Sequence, residues 1–212
     1  MKKNILLLIF LSLLTLVTVL YIDRPFAVWI NNNVSKDLPV MRNAINFLEI
    51  IFGFEISKFL LGFILLAAAL IMWLIKKSKQ QTNIILFIAV SHITSRLVAG
   101  VLKNFFDRSR PFEFLDNMAI DDFFVNTGGS SFPSGHVAYF FGLFLPLIFL
   151  FPKYWYFFLP IPVFVFIQRI VTNDHYLGDA LFSVGLSYLF TICFKSIFIK
   201  NTNDLSGINK FN

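Results

Sequence analysis

The sequence predicts an all-α membrane protein: a bundle of six transmembrane helices with an interfacial helix between the first two spans, built as one domain over residues 1–212. Three observations carry that expectation. Mean hydropathy is +0.74 and 57% of the 212 residues are hydrophobic, too apolar for an ordinary water-soluble domain. Four apolar runs, residues 4–22, 56–75, 83–101 and 178–199, are each long enough to cross a bilayer of about 30 Å, which takes roughly 20 helical residues. Two shorter runs, 136–151 and 154–171, adjoin clusters of polar residues and bring the count to six.

The first run follows Lys2 and Lys3 as a signal peptide would, but it is long and no small-x-small cleavage site precedes Asp23, so it reads as a retained anchor. Residues 38–54 show apolar positions at helical spacing interrupted by Arg42, Asn43, Asn46 and Glu49. That pattern fits a helix lying at the interface, with an ordinary loop as the alternative. The third span carries His92 and Arg96, which fall near one face with Lys103, Arg96 being about 10 Å deeper along the axis. Arg96 reads first as a tie between helices, through backbone carbonyls or a buried partner, and second as a charge tuning a site; both residues stay outside the candidate catalytic set. The loop over residues 112–132 is long and expected to form part of the mouth of a site. Asp107, Arg108, Asp121 and Asp122 read as solvated loop charges. In the last span Cys193 reads as a small core residue, since a lone cysteine forms no internal disulfide.

Six crossings put both termini on one side. Lys and Arg divide nine against nine between the two faces; setting aside Arg96, Lys103, Arg110 and Arg169, which lie in a helix or in motifs, leaves nine against five and favours cytoplasmic termini. The formal charge of +6 is split between the two faces and forms no single basic stripe, which speaks against a nucleic-acid partner.

Ionisable residues beside apolar spans are costly and mark function unless they pair. They gather in three clusters. The first runs from Lys103 to Arg110 and Pro111, where the proline stops a helix and leaves Arg110 in a turning segment. The second, Gly128 to His136, leads flexible backbone into a helix N-terminus, whose unpaired N–H groups and dipole favour an anion, with the Ser134 hydroxyl as a further donor and His136 beside it. The third runs from Arg169 to Asp179. There His175 and Asp179 are four apart, so in a helix they share a face, and Asp179 can fix one ring nitrogen while the other is free to attack. All three clusters occupy odd-to-even connections of a six-helix chain and so share one side of the membrane. Three cations, a helix terminus, an oriented histidine and a second histidine as acid make a phosphoryl-transfer site without a metal or other cofactor.

In these residues the chain resembles the type 2 phosphatidic acid phosphatase family, whose signatures are Lys-x6-Arg-Pro, Pro-Ser-Gly-His and Ser-Arg-x5-His-x3-Asp. Ten identities match in order: Lys103, Arg110 and Pro111; Pro133, Ser134, Gly135 and His136; Arg169, His175 and Asp179. They span residues 103–179, and Gln168 stands where the third signature has serine. The resemblance implies that Lys103, Arg110, Ser134, Gly135 and Arg169 bind phosphate. It further implies that His175 attacks phosphorus, His136 protonates the leaving oxygen and Asp179 orients His175. It implies a lipid phosphate as substrate (phosphatidylglycerophosphate or phosphatidic acid, a polyprenyl diphosphate, or lipid A), an inner-membrane setting with the site facing outward, and no metal. A transporter or binder that keeps the fold is the alternative, against which the intact His136, His175 and Asp179 argue. Vanadate-dependent halide oxidation shares the anion pocket, but in soluble enzymes.

Overall fold

The computed structural model describes residues 2–34, 38–116 and 128–199, and among them every regular element is helical. Helix α1 (Lys2–Val17) passes through one π-helical turn, Thr18–Ile22, into α2 (Asp23–Asn33). Such turns insert an extra residue and redirect the side chains that follow. Here Asp23 is driven inward, 1% exposed, where a charge needs a partner.

Residues Pro39–Ile51 form α3, a helix with Pro39 in its first turn, where the missing N–H costs nothing. Ile45 is its buried residue, while Val40, Phe47 and Ile50 are exposed. Gly53, at φ +71°, turns the chain away, and α4 (Leu60–Leu74) follows. Helix α5 (Lys79–Phe106) is the longest and ends at Asp107, left-handed at φ +49°. A short α6 (Pro111–Asp116) precedes α7 (Gly135–Leu150). Beyond a 3₁₀ turn, Pro152–Tyr154, come α8 (Trp155–Phe158), α9 (Pro160–Val171) and α10 (Leu177–Phe198).

Four helical stretches have the length and apolar character to cross a membrane: Lys2–Asn33, Lys79–Asp116, Pro152–Val171 and Leu177–Phe198. Helices α4 and α7 are apolar but shorter. The structure thus exchanges two expectations, since the 56–75 run starts its helix only at Leu60 and the 154–171 run belongs to a full-length stretch. Both changes have local causes. Residues 52–59 are spent in turns around and after Gly53, whereas Pro160 and Pro162 open α9 and interrupt no hydrogen-bond ladder that precedes them.

Helix α7 is the centre of the bundle, packed by α5, α9 and α10, with Val137, Ala138, Tyr139 and Phe140 fully enclosed. Small residues bring backbones together, as membrane helices require when lipid supplies no hydrophobic drive between them. A Cβ on Gly142 would lie 2.7 Å from Ser95 Cβ on α5, and one on Gly178 would lie 2.6 Å from Val19 Cγ2. Around this core, apolar residues such as Leu6, Leu13, Phe63 and Trp73 point outward. The ends of α5 and α9 meet the starts of α7 and α10 at one end of the bundle, where the polar residues collect.

Candidate active site

The 128–134 segment is the hub of that end. It is pinned to the α5 terminus by Gly128 N–H to Asp107 Oδ2 (3.1 Å) and Ser131 N–H to the Arg108 carbonyl (2.8 Å), and to α10 by Ser134 N–H to the Asp179 carbonyl (3.3 Å). Lys103 donates to the Ser130 carbonyl at 2.5 Å, and Arg110 donates through Nη2 to the Ser130 hydroxyl at 3.1 Å. The first two predicted clusters therefore converge on one serine. Arg110 and Arg169 converge on Asp174, whose carboxylate oxygens lie 3.9 Å and 3.4 Å from their respective Nη1 atoms. Lys103 stands in the field of Arg110, Arg96 and Arg169 as well as that of Asp179.

Ser134 is the residue before α7, extended at ψ 111°, and Gly135 opens the helix. Its hydroxyl is wholly buried and has no hydrogen-bond partner; Nε of Arg169 and Nδ1 of His175 share that condition. Buried polar atoms are normally satisfied, so the Ser134 hydroxyl and Arg169 Nε mark a place built for a polar guest, whereas His175 Nδ1 faces Asp179.

His175 lies in the turn before α10, with its backbone N–H donating to the Arg169 carbonyl at 3.0 Å and its side chain 1% exposed. Asp179 Oδ2 is 3.7 Å from His175 Nδ1, near but beyond hydrogen-bond length. The carboxylate instead accepts from Arg108 (2.5 Å), the Ser131 hydroxyl (2.5 Å) and the Tyr176 N–H (2.9 Å), the last being a capping-box contact at the start of α10. Burial pushes the His175 imidazole below its usual range, and the charges of Lys103 and Arg169 push the same way against the pull of Asp179. A neutral ring is the nucleophilic form.

His136, the second residue of α7, contacts Glu49 of α3 through Nε2 at 2.7 Å, and Phe54 lies tilted on its ring at 4.3 Å between centroids. The sequence treated Glu49 only as a polar interruption, yet it lies on the helix that covers the site. Arg108 corrects a firmer expectation. It is 2% exposed rather than solvated, bonds Asp23 at 2.9 Å as well as Asp179, and carries Tyr176 against its guanidinium at 4.0 Å. Asp23 in turn accepts from the Gly178 N–H at 2.8 Å. An acid at the end of the first apolar run was the signal that a buried partner existed. Asp107 is half-buried and used by the loop, while Asp121 and Asp122 lie outside the described residues, as does most of the predicted mouth loop.

Among the described residues no group of three or more His, Cys, Asp or Glu side chains converges as metal ligands would. One surface cleft, bounded by Ile30, Val34, Phe112, Leu115 and Thr172, runs beside the polar cluster and includes none of the predicted site residues. His92 is fully buried against the Tyr139 carbonyl at 3.1 Å, and Gln168 is buried on α9. In comparison with known families, the model of the PAP2 superfamily matches residues 84–203, more than half of the chain and all three polar clusters. No curated protein and no solved structure matches the chain.

Proposed function

Because the chain belongs to the PAP2 superfamily, whose members are phosphatases, we propose that it hydrolyses a phosphate monoester or diphosphate on a membrane lipid, without a metal, through a phosphohistidine intermediate. The observation that carries the reading is the gathering of Lys103, Arg110 and Arg169 beside His175 and the unpartnered Ser134 hydroxyl at the N-terminus of α7. Three cations and a helix terminus match the charge and the oxygens of a phosphoryl group.

In this mechanism the His175 nitrogen turned away from Asp179, Nε2, forms a bond to phosphorus as the bond to the lipid oxygen breaks. His136 gives its proton to that oxygen. Water then attacks the phosphohistidine, the P–N bond breaks, His136 takes a proton from the water, and inorganic phosphate departs. Asp179 acts on His175 through its position in the Arg108, Ser131 and Tyr176 network. On this reading α4 and α7 cross as two short spans, and the Lys and Arg count outside the motifs favours this end of the bundle at the outer interface of the inner (plasma) membrane, with the tail in lipid and the phosphate in the site.

The test is phosphate release in detergent from a panel of lipid phosphates. Activity should survive EDTA and be inhibited by vanadate, whose five-coordinate form resembles the transition state. His175→Ala should abolish turnover, and acid quench should trap an acid-labile phosphate on the wild type alone. A strict need for a divalent ion, or turnover in His175→Ala, refutes the mechanism. No release from any member of the panel would favour the binder that keeps the fold.

A further inference from the structure

One buried cation has no task in that mechanism. Arg96 lies two turns below Lys103 on α5, is 8% exposed, and its Nε is enclosed without a hydrogen-bond partner. The backbone carbonyl or buried acid expected to hold it makes no such contact among the described residues. The charges within its reach, at Lys103 and at His92 one turn away, offer it no anion, and its closest contacts are a ring and a bare helix start. Cζ stands 5.9 Å from the centroid of Phe59, and a Cβ on Gly135 would lie 3.4 Å from that Cζ and 3.6 Å from Nη1. The guanidinium therefore rests against the first residue of α7, the same helix terminus that faces the phosphoryl group. An unpaired charge at this depth is costly, and two positive features in contact repel unless an anion joins them.

Its position relative to His136 gives the anion a place. His136 follows Gly135 and lies under Phe54, while Arg96 lies under Phe59; both rings belong to the 52–59 connection, so the two side chains share one cover. On the phosphatase reading, on which this inference rests, His136 marks the side from which the leaving group departs. A departing alcohol requires only a proton. A departing phosphate carries charge that a guanidinium stabilises. We infer that Arg96 forms a second phosphate subsite and that the preferred substrate is a lipid diphosphate, its terminal phosphate meeting His175 and its inner phosphate meeting Arg96. His175 bonds the terminal phosphorus, the bridging P–O bond breaks with its electrons on the bridging oxygen, and His136 protonates the lipid monophosphate that leaves. Water then releases the terminal phosphate from His175.

The experiment compares farnesyl diphosphate with farnesyl monophosphate, two substrates with one tail, on full-length protein in detergent. Arg96→Gln should lower the ratio of their kcat/KM values by about 10- to 100-fold, the worth of a charge-assisted phosphate contact, and Arg96→Lys should fall between. An equal loss on both substrates overturns the subsite. A binding arm needs no turnover: the wild type should hold a farnesyl methylenebisphosphonate at least about tenfold more tightly than the matched monophosphonate, and Arg96→Gln should lose that preference. Absence of the preference in the wild type overturns the inference even if the variant fails to fold. A preference that depends on Arg96, with neither ester hydrolysed, leaves the subsite standing and sinks the phosphatase reading instead. Inorganic diphosphate should compete less well than the lipid bisphosphonate; equal competition overturns the assignment to a lipid.

Discussion

Replacing Arg108 by methionine should be among the most damaging single changes in this protein, although the residue occupies an unspecified position of the first family signature. Arg108 is 2% exposed and its two partners, Asp23 and Asp179, are fully enclosed at 2.9 Å and 2.5 Å. The cluster carries one positive and two negative charges, so removing the guanidinium changes its net charge from −1 to −2 inside the bundle. Methionine keeps most of the volume, which confines the perturbation to charge. Breaking one buried pair by deleting a partner costs about 3–5 kcal/mol, and the two carboxylates here retain unequal support. Asp179 keeps the Tyr176 N–H and the Ser131 hydroxyl, whereas Asp23, among the described residues, keeps the Gly178 N–H alone. Asp23→Asn added to Arg108→Met restores the net charge to −1 and should recover about 1–2 kcal/mol of the loss, a coupling typical of groups in one network. Chemical or thermal unfolding of the purified protein in one detergent, followed for both single variants and the double variant, measures all three quantities. A loss under about 1 kcal/mol for Arg108→Met, or strict additivity in the double variant, would refute the claim that this arginine supports both acids.

Glu49→Gln should reduce kcat/KM by about tenfold or more, with the larger loss on substrates whose leaving group is a strong base, because the carboxylate holds His136 at 2.7 Å and the proposed mechanism uses His136 as the acid. A loss independent of leaving group would assign Glu49 to packing of α3 instead. His175 should remain neutral below the ordinary imidazole range near pH 6.5: burial and the Lys103 and Arg169 charges lower its pKa, and a lowered pKa delays protonation as pH falls. Histidine NMR titration, with the His175 signal identified by its loss in His175→Gln, checks this, and a midpoint at or above 6.5 would contradict it. In a Cys193→Ser background, Asp116→Cys on α6 should react in intact cells or spheroplasts with a thiol reagent that does not cross membranes, while Ser78→Cys should not. The reverse pattern would place the site on the cytoplasmic face and remove outer-leaflet lipids from its substrates.

The sequence alone determined the class and the inventory. Apolar run length dictated helices because a continuous apolar run of about 20 residues satisfies its backbone in lipid as a helix, whereas a barrel strand is shorter and alternates, and the three polar clusters stood out because charges beside such runs are too costly to be incidental. The spacing Lys103 to Arg110, the Pro133–His136 run and the Arg169 to Asp179 interval also carried the family, which the match over residues 84–203 bears out. Tertiary structure decided which charges serve each other. Glu49 precedes His136 by 87 positions, and Asp23 precedes Arg108 by 85, separations at which pattern carries no information about contact. Arg108 reads as a solvated loop charge until the π-helical turn brings Asp23 inward and α10 presents Asp179 opposite it. Arg96 reads as a helix tie in the sequence, whereas the bundle sets its guanidinium against Gly135 at the start of α7, with no hydrogen-bond partner for Nε among the described residues. Local chemistry fixes what each residue is able to do; partners distant in the chain are selected by packing, because only the folded bundle sets the distance and the burial on which an ion pair depends.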